Sequence, residues 1–260
     1  MTTATPQLTL EQGQAIESMS AFLRDPEKQF FLLTGYAGTG KTFCIQHLIG
    51  QTRGRLIFTA PTNKAIKVLR ETLTTDAYKP ECRTIYSLLG LRFEANSEVK
   101  ELAIPEDPID LTQYKAVIVD EASMVNSNLF SFIKHTADAQ KVKFIFMGDP
   151  AQLPPVGELR SPIWGNAHQV SELTRVMRHD NQILTLATAI RKVVDHPAPC
   201  IKLASDNADG IGVWRLGEKG FESRIMQAVD TGRFSRVNEA KAIAWRNVTV
   251  DALNRRIRQR

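Results

Sequence analysis

Residues 30–50 of the chain have the sequence FFLLTGYAGTGKTFCIQHLIG, which contains the most specific motif of the chain. Residues 35–42, GYAGTGKT, fit the pattern G-x-x-x-x-G-K-[ST] without a gap. The four apolar residues before it predict a buried strand, and Phe43–Ile49 after it predicts a helix. Glycines let successive backbone N–H groups point at one anion, and the helix adds its positive N-terminus. The stretch therefore predicts a loop that holds the phosphates of a nucleoside triphosphate.

Two side chains of this loop have predicted chemical roles. Lys41 would reach the β- and γ-phosphates, and the Thr42 hydroxyl would be a ligand of Mg²⁺. A glycine-rich loop without a ligand is the alternative, which the flanking strand and helix disfavour. The other predicted nucleotide-contacting positions of the loop are Gly35, Gly38, Thr39 and Gly40.

Apolar runs alternate with helical patterns over the first 150 residues. This alternation predicts an α/β fold with a parallel, doubly wound sheet. Functional residues in such sheets lie at the carboxyl ends of the strands. We predict strands at Phe30–Leu33, Leu56–Ala60, Ala116–Val119 and Lys143–Met147, with helices at Leu10–Leu23 (capped by Thr9), Phe43–Ile49, Asn63–Thr72 and about Asn128–Thr136.

Two segments interrupt this alternation. Residues 91–113 are polar and acidic, and predict a small inserted β-hairpin. The pattern changes again near residue 180, so we expect a first domain at 1–180 and a second unit at 181–260. In that second unit we predict a strand at Lys241–Trp245 and a helix at Val248–Arg258. Because the sequence stops inside that helix without a C-cap, we expect it to be part of a longer chain.

The predicted strand at residues 116–119 is followed directly by Asp120 and Glu121. After a phosphate loop, Asp120 is placed to bind Mg²⁺ and Glu121 to act as general base on a water molecule. This pair favours hydrolysis, because small-molecule kinases need no base that activates water there. Gln152, after the next strand, is expected at the γ-phosphate or the attacking water, with an ordinary turn residue as an equal alternative.

An arginine is also expected at the phosphates. Arg178 is the candidate for stabilising charge on the transferred phosphoryl group, and Arg175 competes for the role. An ordinary surface arginine is the alternative for both.

Composition excludes some classes of protein. The 260 residues are 43% apolar and 23% charged, and no apolar run reaches the roughly 20 residues of a membrane span. The formal net charge of +5 leans towards a polyanionic partner. Three widely spaced cysteines, Cys44, Cys82 and Cys200, form no metal-binding pattern and indicate a reducing compartment, the cytoplasm.

Taken in order, the motifs resemble those of superfamily 1 DNA helicases, in particular the RecD/Dda-like branch that moves 5′ to 3′. The resemblance covers roughly residues 8–258. The matching segments are 8–15 (LTLEQGQA, the Q motif), 35–42 (motif I), 60–65 (APTNKA, Ia), 84–89 (TIYSLL, Ib), 120–124 (DEASM, II), 148–154 (GDPAQLP, III) and 173–178 (LTRVMR, IV).

The resemblance implies RecA-like domains, the first at 1–180 and the start of another at 181–260. It implies ATP with Mg²⁺, and adenine recognition by Gln12. It also implies single-stranded DNA and duplex junctions as partners, with replication or recombination proteins as further partners of a monomer. The implied DNA-contacting residues are Pro61, Thr62, Asn63, Lys64, Thr84, Tyr86 and Phe93.

Elementary chemistry supports some of these DNA contacts. Hydroxyls and lysines that follow strand ends can bind phosphates whatever the base sequence. Tyr86 could stack on a base, with core packing as its equal rival. The resemblance also makes Phe93, in the inserted hairpin, a candidate wedge that splits the duplex, with packing inside the hairpin as the favoured alternative.

Nothing in the sequence resembles the later helicase motifs V and VI. We therefore expect these 260 residues alone to bind nucleotide with little DNA-stimulated turnover. Two other functions compete with a DNA motor. One is a phosphate-loop ATPase that acts as a switch or remodels proteins. The other is an ATP-binding subunit without catalysis in a nuclease–helicase complex, against which Lys41, Asp120 and Glu121 argue.

Overall fold

The computed structural model describes residues 7–93, 102–103, 109–177, 182–194, 205–208, 211–233 and 247–259. The chain divides into two compact units, Met1–His179 and Asp180–Arg260. Within the described ranges, every helix is too short or too polar to traverse a lipid bilayer.

The first unit is built on a six-stranded sheet in the order β3-β2-β6-β7-β1-β8, and all five strand pairs are parallel. This confirms the predicted α/β fold. Its elements are α1 (Leu10–Arg24), β1 (Phe30–Gly35), α2 (Lys41–Gln51), β2 (Arg55–Ala60), α3 (Asn63–Leu73), β3 (Glu81–Thr84), α4 (Ile85–Leu88), β4 (Arg92–Phe93), β5 (Leu102–Ala103), β6 (Tyr114–Val119), a 3₁₀ turn (Ala122–Met124), α5 (Ser127–Gln140), β7 (Phe144–Gly148), α6 (Ile163–Asn166) and β8 (Gln169–Leu173).

Both faces of the sheet are covered by helices, which explains the apolar runs of the central strands. On one face, side chains of α1, α2 and α3 such as Phe22, Ile45 and Leu69 pack against alternate strand residues. On the other face, α5 supplies Leu129 and Ile133. Each central strand therefore buries both sets of its alternating side chains.

Two strands of the sheet, β3 and β8, were not predicted from the sequence. They are the two edge strands, and their sequences, ECRT and QVSEL, carry charged and polar residues. An edge strand has a neighbouring strand on one side only, and its other side is exposed to solvent. Its sequence therefore lacks the apolar run that marks the central strands.

The described part of the predicted insert contains an antiparallel strand pair. Strands β4 and β5 pair antiparallel, with Arg92 opposite Ala103 and Phe93 opposite Leu102. The flanks of the 91–113 segment belong instead to the core, since Leu91 and Leu111 are buried. The side chain of Phe93 lies outside the described part of the structure.

The second unit contains α7 (Gln182–Val194), an antiparallel pair of β9 (Asp206–Ala208) and β10 (Ile211–Val213), α8 (Glu218–Asp230) and α9 (Asn247–Arg258). Helix α9 confirms the helix predicted at 248–258. An ion pair between Arg256 and Glu222 joins α9 to α8. The strand predicted at Lys241–Trp245 lies outside the described residues.

Candidate functional site

The glycine-rich loop connects the carboxyl end of β1 to the first residue of α2, Lys41. Gly38 and Gly40 have φ angles of 82° and 93°, in the left-handed region that favours glycine. At Gly35, a Cβ atom would lie 2.6 Å from the carbonyl oxygen of Leu173, so only glycine fits. The loop thus has the backbone shape that lets N–H groups converge on an anion.

Lys41 lies over this loop. Its Nζ donates hydrogen bonds to the carbonyl oxygens of Gly35, at 2.6 Å, and Tyr36, at 3.1 Å. Thr39 is buried, and its hydroxyl donates to the Tyr36 carbonyl at 2.9 Å. Thr42 lies in the first turn of α2 and is half-buried. The loop is therefore held by its own side chains with Lys41 at its mouth.

The predicted acidic pair follows β6. Asp120 donates its N–H to the Thr59 carbonyl at 2.8 Å, and its Oδ1 accepts the N–H of Glu121 at 2.9 Å. Glu121 has a φ angle of 56°, one of two non-glycine residues in the left-handed region among the described residues. Such a backbone conformation is strained for a residue with a side chain, and strained residues are common at functional sites.

Electrostatics tie this pair to the loop. Burial raises the pKa of Asp120, and burial together with the Asp120 charge raises the pKa of Glu121. The ammonium group of Lys41 opposes both shifts, so Lys41, Asp120 and Glu121 form one electrostatic cluster. The hydroxyl of Thr42 and the carboxylate of Asp120 are hard oxygen donors, a set that fits Mg²⁺.

Strand β7 lies between β6 and β1, and its end bridges the acidic pair and the loop. Asp149 is only 3% exposed. Its Oδ2 accepts the N–H of Ala37 in the loop at 3.1 Å, and its Oδ1 accepts the N–H of Ala151 at 3.0 Å. The exposed Gln152 accepts a hydrogen bond from the buried Ser123 hydroxyl at 3.4 Å. No role was predicted for Asp149, although it lies in the GDP tripeptide that ends the strand.

The N-terminus of α1 also grips the loop. Gln12 completes a capping box with Thr9, accepting the Thr9 N–H through Oε1 at 3.0 Å. Its Nε2 donates to the carbonyl of Thr39 at 3.0 Å, and the side chain is 4% exposed. A glutamine amide has two N–H groups and two lone pairs, so one donor and one acceptor remain for the predicted adenine contact.

Glu11 is a residue that sequence analysis missed. Its carboxylate accepts the hydroxyl of Thr174 at 2.6 Å, the N–H of Thr174 at 2.9 Å and the N–H of Arg175 at 3.2 Å. These bonds hold the segment after β8, whose Met177 N–H donates to the Gly38 carbonyl at 2.8 Å. The segment that leads to the predicted Arg178 is thereby fastened to the phosphate loop. Arg178 itself lies outside the described residues.

The predicted nucleic-acid contacts lie at the same carboxyl edge. Thr62 caps α3 and accepts the Ala65 N–H at 3.2 Å, and Thr84 caps α4 and accepts the Ser87 N–H at 3.2 Å. Pro61 is half-buried, whereas Asn63 and Lys64 are exposed. Capping uses the oxygen lone pairs and leaves each hydroxyl hydrogen able to bind a phosphate.

Tyr86 is less accessible than expected for a stacking residue. It is half-buried and packs against the core face formed with α5, and burial raises the pKa of its hydroxyl. This favours the packing alternative for the part of the ring that touches the core.

A cleft of about 290 Å³ joins the two groups of residues. One wall carries Thr62, Lys64 and Val68 from the start of α3, and the other carries the acidic pair and Met124. Val68 is 56% exposed and Met124 42% exposed, so the cleft has apolar as well as charged surface. A nucleic-acid strand bound at the start of α3 would therefore lie directly beside Asp120 and Glu121.

Comparison with known proteins identifies the family of the chain. The family model described as AAA domain matches residues 7–207. The chain belongs to this family. Its relatives place it in the Pif1/RecD-like branch of superfamily 1 helicases, which confirms the resemblance found in the sequence.

Two curated relatives are similar over most of the chain. The ATP-dependent DNA helicase Dda of Enterobacteria phage T4 is 31% identical over 208 residues, which are 72% of this chain and 45% of Dda. The RecBCD enzyme subunit RecD of Mycobacterium tuberculosis is 27% identical over 219 residues, 74% of this chain and 35% of RecD. The chain thus spans less than half the length of these relatives.

The fold has solved counterparts. A Pif1 helicase, from a structure that describes DNA unwinding at forked duplex DNA, matches with a TM-score of 0.60 at 19% identity. The match covers 96% of this chain and 57% of that one. It confirms the RecA-like α/β architecture.

Proposed function

We propose that the chain is the ATP-hydrolysing part of a DNA helicase that moves along single-stranded DNA and unwinds duplex DNA. The observation that carries the proposal is the cleft that joins the start of α3 to the acidic pair. A motor must couple DNA binding to ATP hydrolysis. Here the candidate DNA-binding residues of α3 and the acidic pair line the same cleft. The 31% identity to a phage DNA helicase supports the same activity.

In this proposal the loop residues Gly35, Gly38, Thr39 and Gly40 bind the triphosphate through backbone N–H groups. Lys41 exchanges its two carbonyl partners for phosphate oxygens, and Gln12 contacts the adenine with its remaining donor and acceptor. Glu121 takes a proton from the attacking water. Gln152 orients that water or the γ-phosphate, and Arg178 stabilises the transferred charge.

Thr42 and Asp120 would hold Mg²⁺ between protein and phosphates. The ion would neutralise charge on the phosphate oxygens, and phosphates with waters would complete its shell. The site therefore needs only one or two ligands from the protein.

DNA binding in this proposal uses Pro61, Thr62, Asn63, Lys64 and Thr84 at the carboxyl edge. Their groups contact phosphates, which gives a grip independent of base sequence. Tyr86 would add only the accessible part of its ring, and Phe93 would act at the duplex junction.

Several wider features of the proposal follow the family. They are movement from 5′ to 3′, a monomer that works with replication or recombination proteins, and a second unit (181–260) that starts another RecA-like domain. The cytoplasm suits the two buried free thiols, Cys44 and Cys82.

The proposal is tested by titrating the protein with a fluorescent non-hydrolysable ATP analogue, with labelled oligo-dT, and with both together. We expect both to bind, each altering the affinity for the other, because linkage between two ligands is reciprocal. Lys41→Ala should lose nucleotide binding and this coupling. Lys134→Ala, an exposed lysine on α5, is the matched control. Nucleotide binding without any effect of DNA would instead support the switch or remodelling function.

A further inference from the structure

A second charged surface lies at the opposite edge of the sheet, where the strands begin. A cleft of about 600 Å³ opens there between the end of α1, the turn after α2 and the start of β6. Its cations are Arg24, Arg53 and Lys115, and Glu17 is its single acidic residue. A neighbouring cleft of about 520 Å³ shares Thr52 and adds Lys79. We call these four cations the amino-edge cluster.

The cluster is exposed to solvent. All four side chains are exposed, and among the described residues none of them forms an ion pair. By contrast, Arg55 in the neighbouring cleft is bound by Glu81 at 2.9 Å. Fixed positive charge without internal partners creates a potential that attracts anions.

Backbone geometry brings two members of the cluster together. Gly54 has a φ angle of 121°, and a Cβ there would lie 3.1 Å from the Cβ of Lys115. The glycine thus lets the turn that carries Arg53 pass against the stem of Lys115. Burial lowers the pKa of the neighbouring Lys143, Asp25 opposes this, and the ammonium groups of Lys115 and Lys28 lower it further. The turn after α2 and the start of β6 therefore bring Arg53 and Lys115 onto one surface.

The chemistry of the lining identifies the class of partner. Around the cations stand the hydroxyls of Ser20 and Thr52 and the amide of Gln51, while Leu23 is buried. Hydroxyls, amides and cations are the groups that bind phosphate oxygens in nucleic-acid backbones. Protein partners are held by exposed aromatic and apolar anchors, whereas the single apolar side chain in the lining of this cleft, Leu23, is buried.

The lining also distinguishes duplex from single strand. Single strands are gripped by stacking bases on aromatic rings, and the 600 Å³ cleft, which carries three of the four cations, has no aromatic residue in its lining. The neighbouring cleft has Tyr78, which is half-buried and packed against the core. A duplex hides its bases and offers phosphates alone. Strands β2 and β6 each have six residues, so the cluster lies roughly 20 Å from the carboxyl edge. A single strand and a duplex arm can therefore be bound at once.

We propose that the amino-edge cluster binds the phosphate backbone of duplex DNA. This site rests on the proposed function, since it would hold the duplex arm while the carboxyl edge holds the single strand. It requires no contact with the nucleotide site.

The test compares two double variants of equal charge change in the intact protein. Arg53→Gln/Lys115→Gln removes two cluster cations, and Lys134→Gln/Lys219→Gln removes two exposed cations from α5 and α8. Affinity for a blunt duplex and for oligo-dT is measured by fluorescence anisotropy across a range of salt concentrations. Nucleotide binding serves as the check that each variant is folded.

We expect the cluster variant to reduce the slope of log affinity against log salt for duplex by about 1.8, two contacts at about 0.9 each. Its binding of oligo-dT should be unchanged, and the control variant should behave as wild type. Equal loss in both double variants would overturn the proposal, because net charge alone would then explain it. Unchanged duplex binding in the cluster variant would also overturn it.

A third variant separates this proposal from the proposed function. Lys64→Ala should weaken binding of oligo-dT only. If Lys64→Ala weakens oligo-dT binding while the cluster variant binds duplex DNA as the wild type does, only the proposal for the amino-edge cluster fails. If the wild type binds neither DNA, the helicase function fails as well. An oligo-glutamate peptide is the last probe. If it binds the wild type but not the cluster variant, and both proteins bind duplex DNA equally, the ligand of the cluster is an acidic protein segment and not DNA.

Discussion

The bridge made by Asp149 between β7 and the phosphate loop leads to a quantitative prediction. Asp149→Asn keeps the size of the side chain but replaces one of its two acceptor oxygens by an NH₂ group, which cannot accept an N–H. Since both oxygens accept backbone N–H groups, one of the two bonds must be lost. A hydrogen bond to a charged group contributes about 1.5–3 kcal/mol.

The lower end of that range applies here. Ala37 is exposed, so its N–H can regain water when the carboxylate leaves. A loss of about 1.5 kcal/mol corresponds to roughly a tenfold change in an equilibrium constant. If the bond orders the loop for its ligand, affinity for an ATP analogue should fall about tenfold. Urea unfolding should show a loss of similar size in the free energy of unfolding.

The assay is titration with a fluorescent ATP analogue beside urea denaturation of the same samples. Asp138→Asn, an exposed aspartate on α5, makes the same change of charge and should leave both values at those of wild type. The reasoning is refuted if Asp149→Asn binds the analogue and unfolds as the wild type does. A loss of stability without loss of affinity would show that the bridge supports the fold but does not order the loop.

Three further predictions follow. Glu121→Gln should slow phosphate release by roughly 100-fold or more with nucleotide affinity kept, as expected on loss of a general base; unchanged release would exclude that role. Burial raises the pKa of the Cys44 thiol to about 11, so a disulfide reagent at pH 8 should label it only on unfolding, and rapid labelling of the folded protein would contradict this. Hydrogen bonds from Thr174 lower the pKa of Glu11, so the stability gap between wild type and Glu11→Ala should be full at neutral pH and close as the pH falls below about 4.3; a gap independent of pH would argue against these bonds.

The central sheet could be predicted because its strands are buried on both faces. Strands β1, β2, β6 and β7 are apolar runs that end in motif residues. Both the strands and the position of the motifs at their carboxyl ends could therefore be predicted. The edge strands could not be predicted for the opposite reason, since QVSEL and ECRT are mostly polar and contain no apolar run. Their pairing depends on what lies beside them, which a local pattern does not record.

The residues of the candidate site were likewise predicted only in part. Residues with a role in a local motif, such as Lys41 and Asp120, were found. Those that act through distant partners were not: Glu11 is 163 residues from Thr174 along the chain, and Asp149 is 112 from Ala37. No periodicity links such positions, because the contact arises from strand order. A carboxylate at the start of a capped helix looks like an ordinary first-turn acid.

The backbone of Glu121 has a consequence for attempts to improve this protein. A residue with a side chain in the left-handed region costs about 1–3 kcal/mol, and glycine adopts the same angles freely. Glu121→Gly should therefore make the folded protein more robust while deleting the carboxylate that the proposed chemistry needs. A laboratory screen that rewards heat resistance alone would enrich that change and collect inert proteins, so selection at this position has to reward turnover as well.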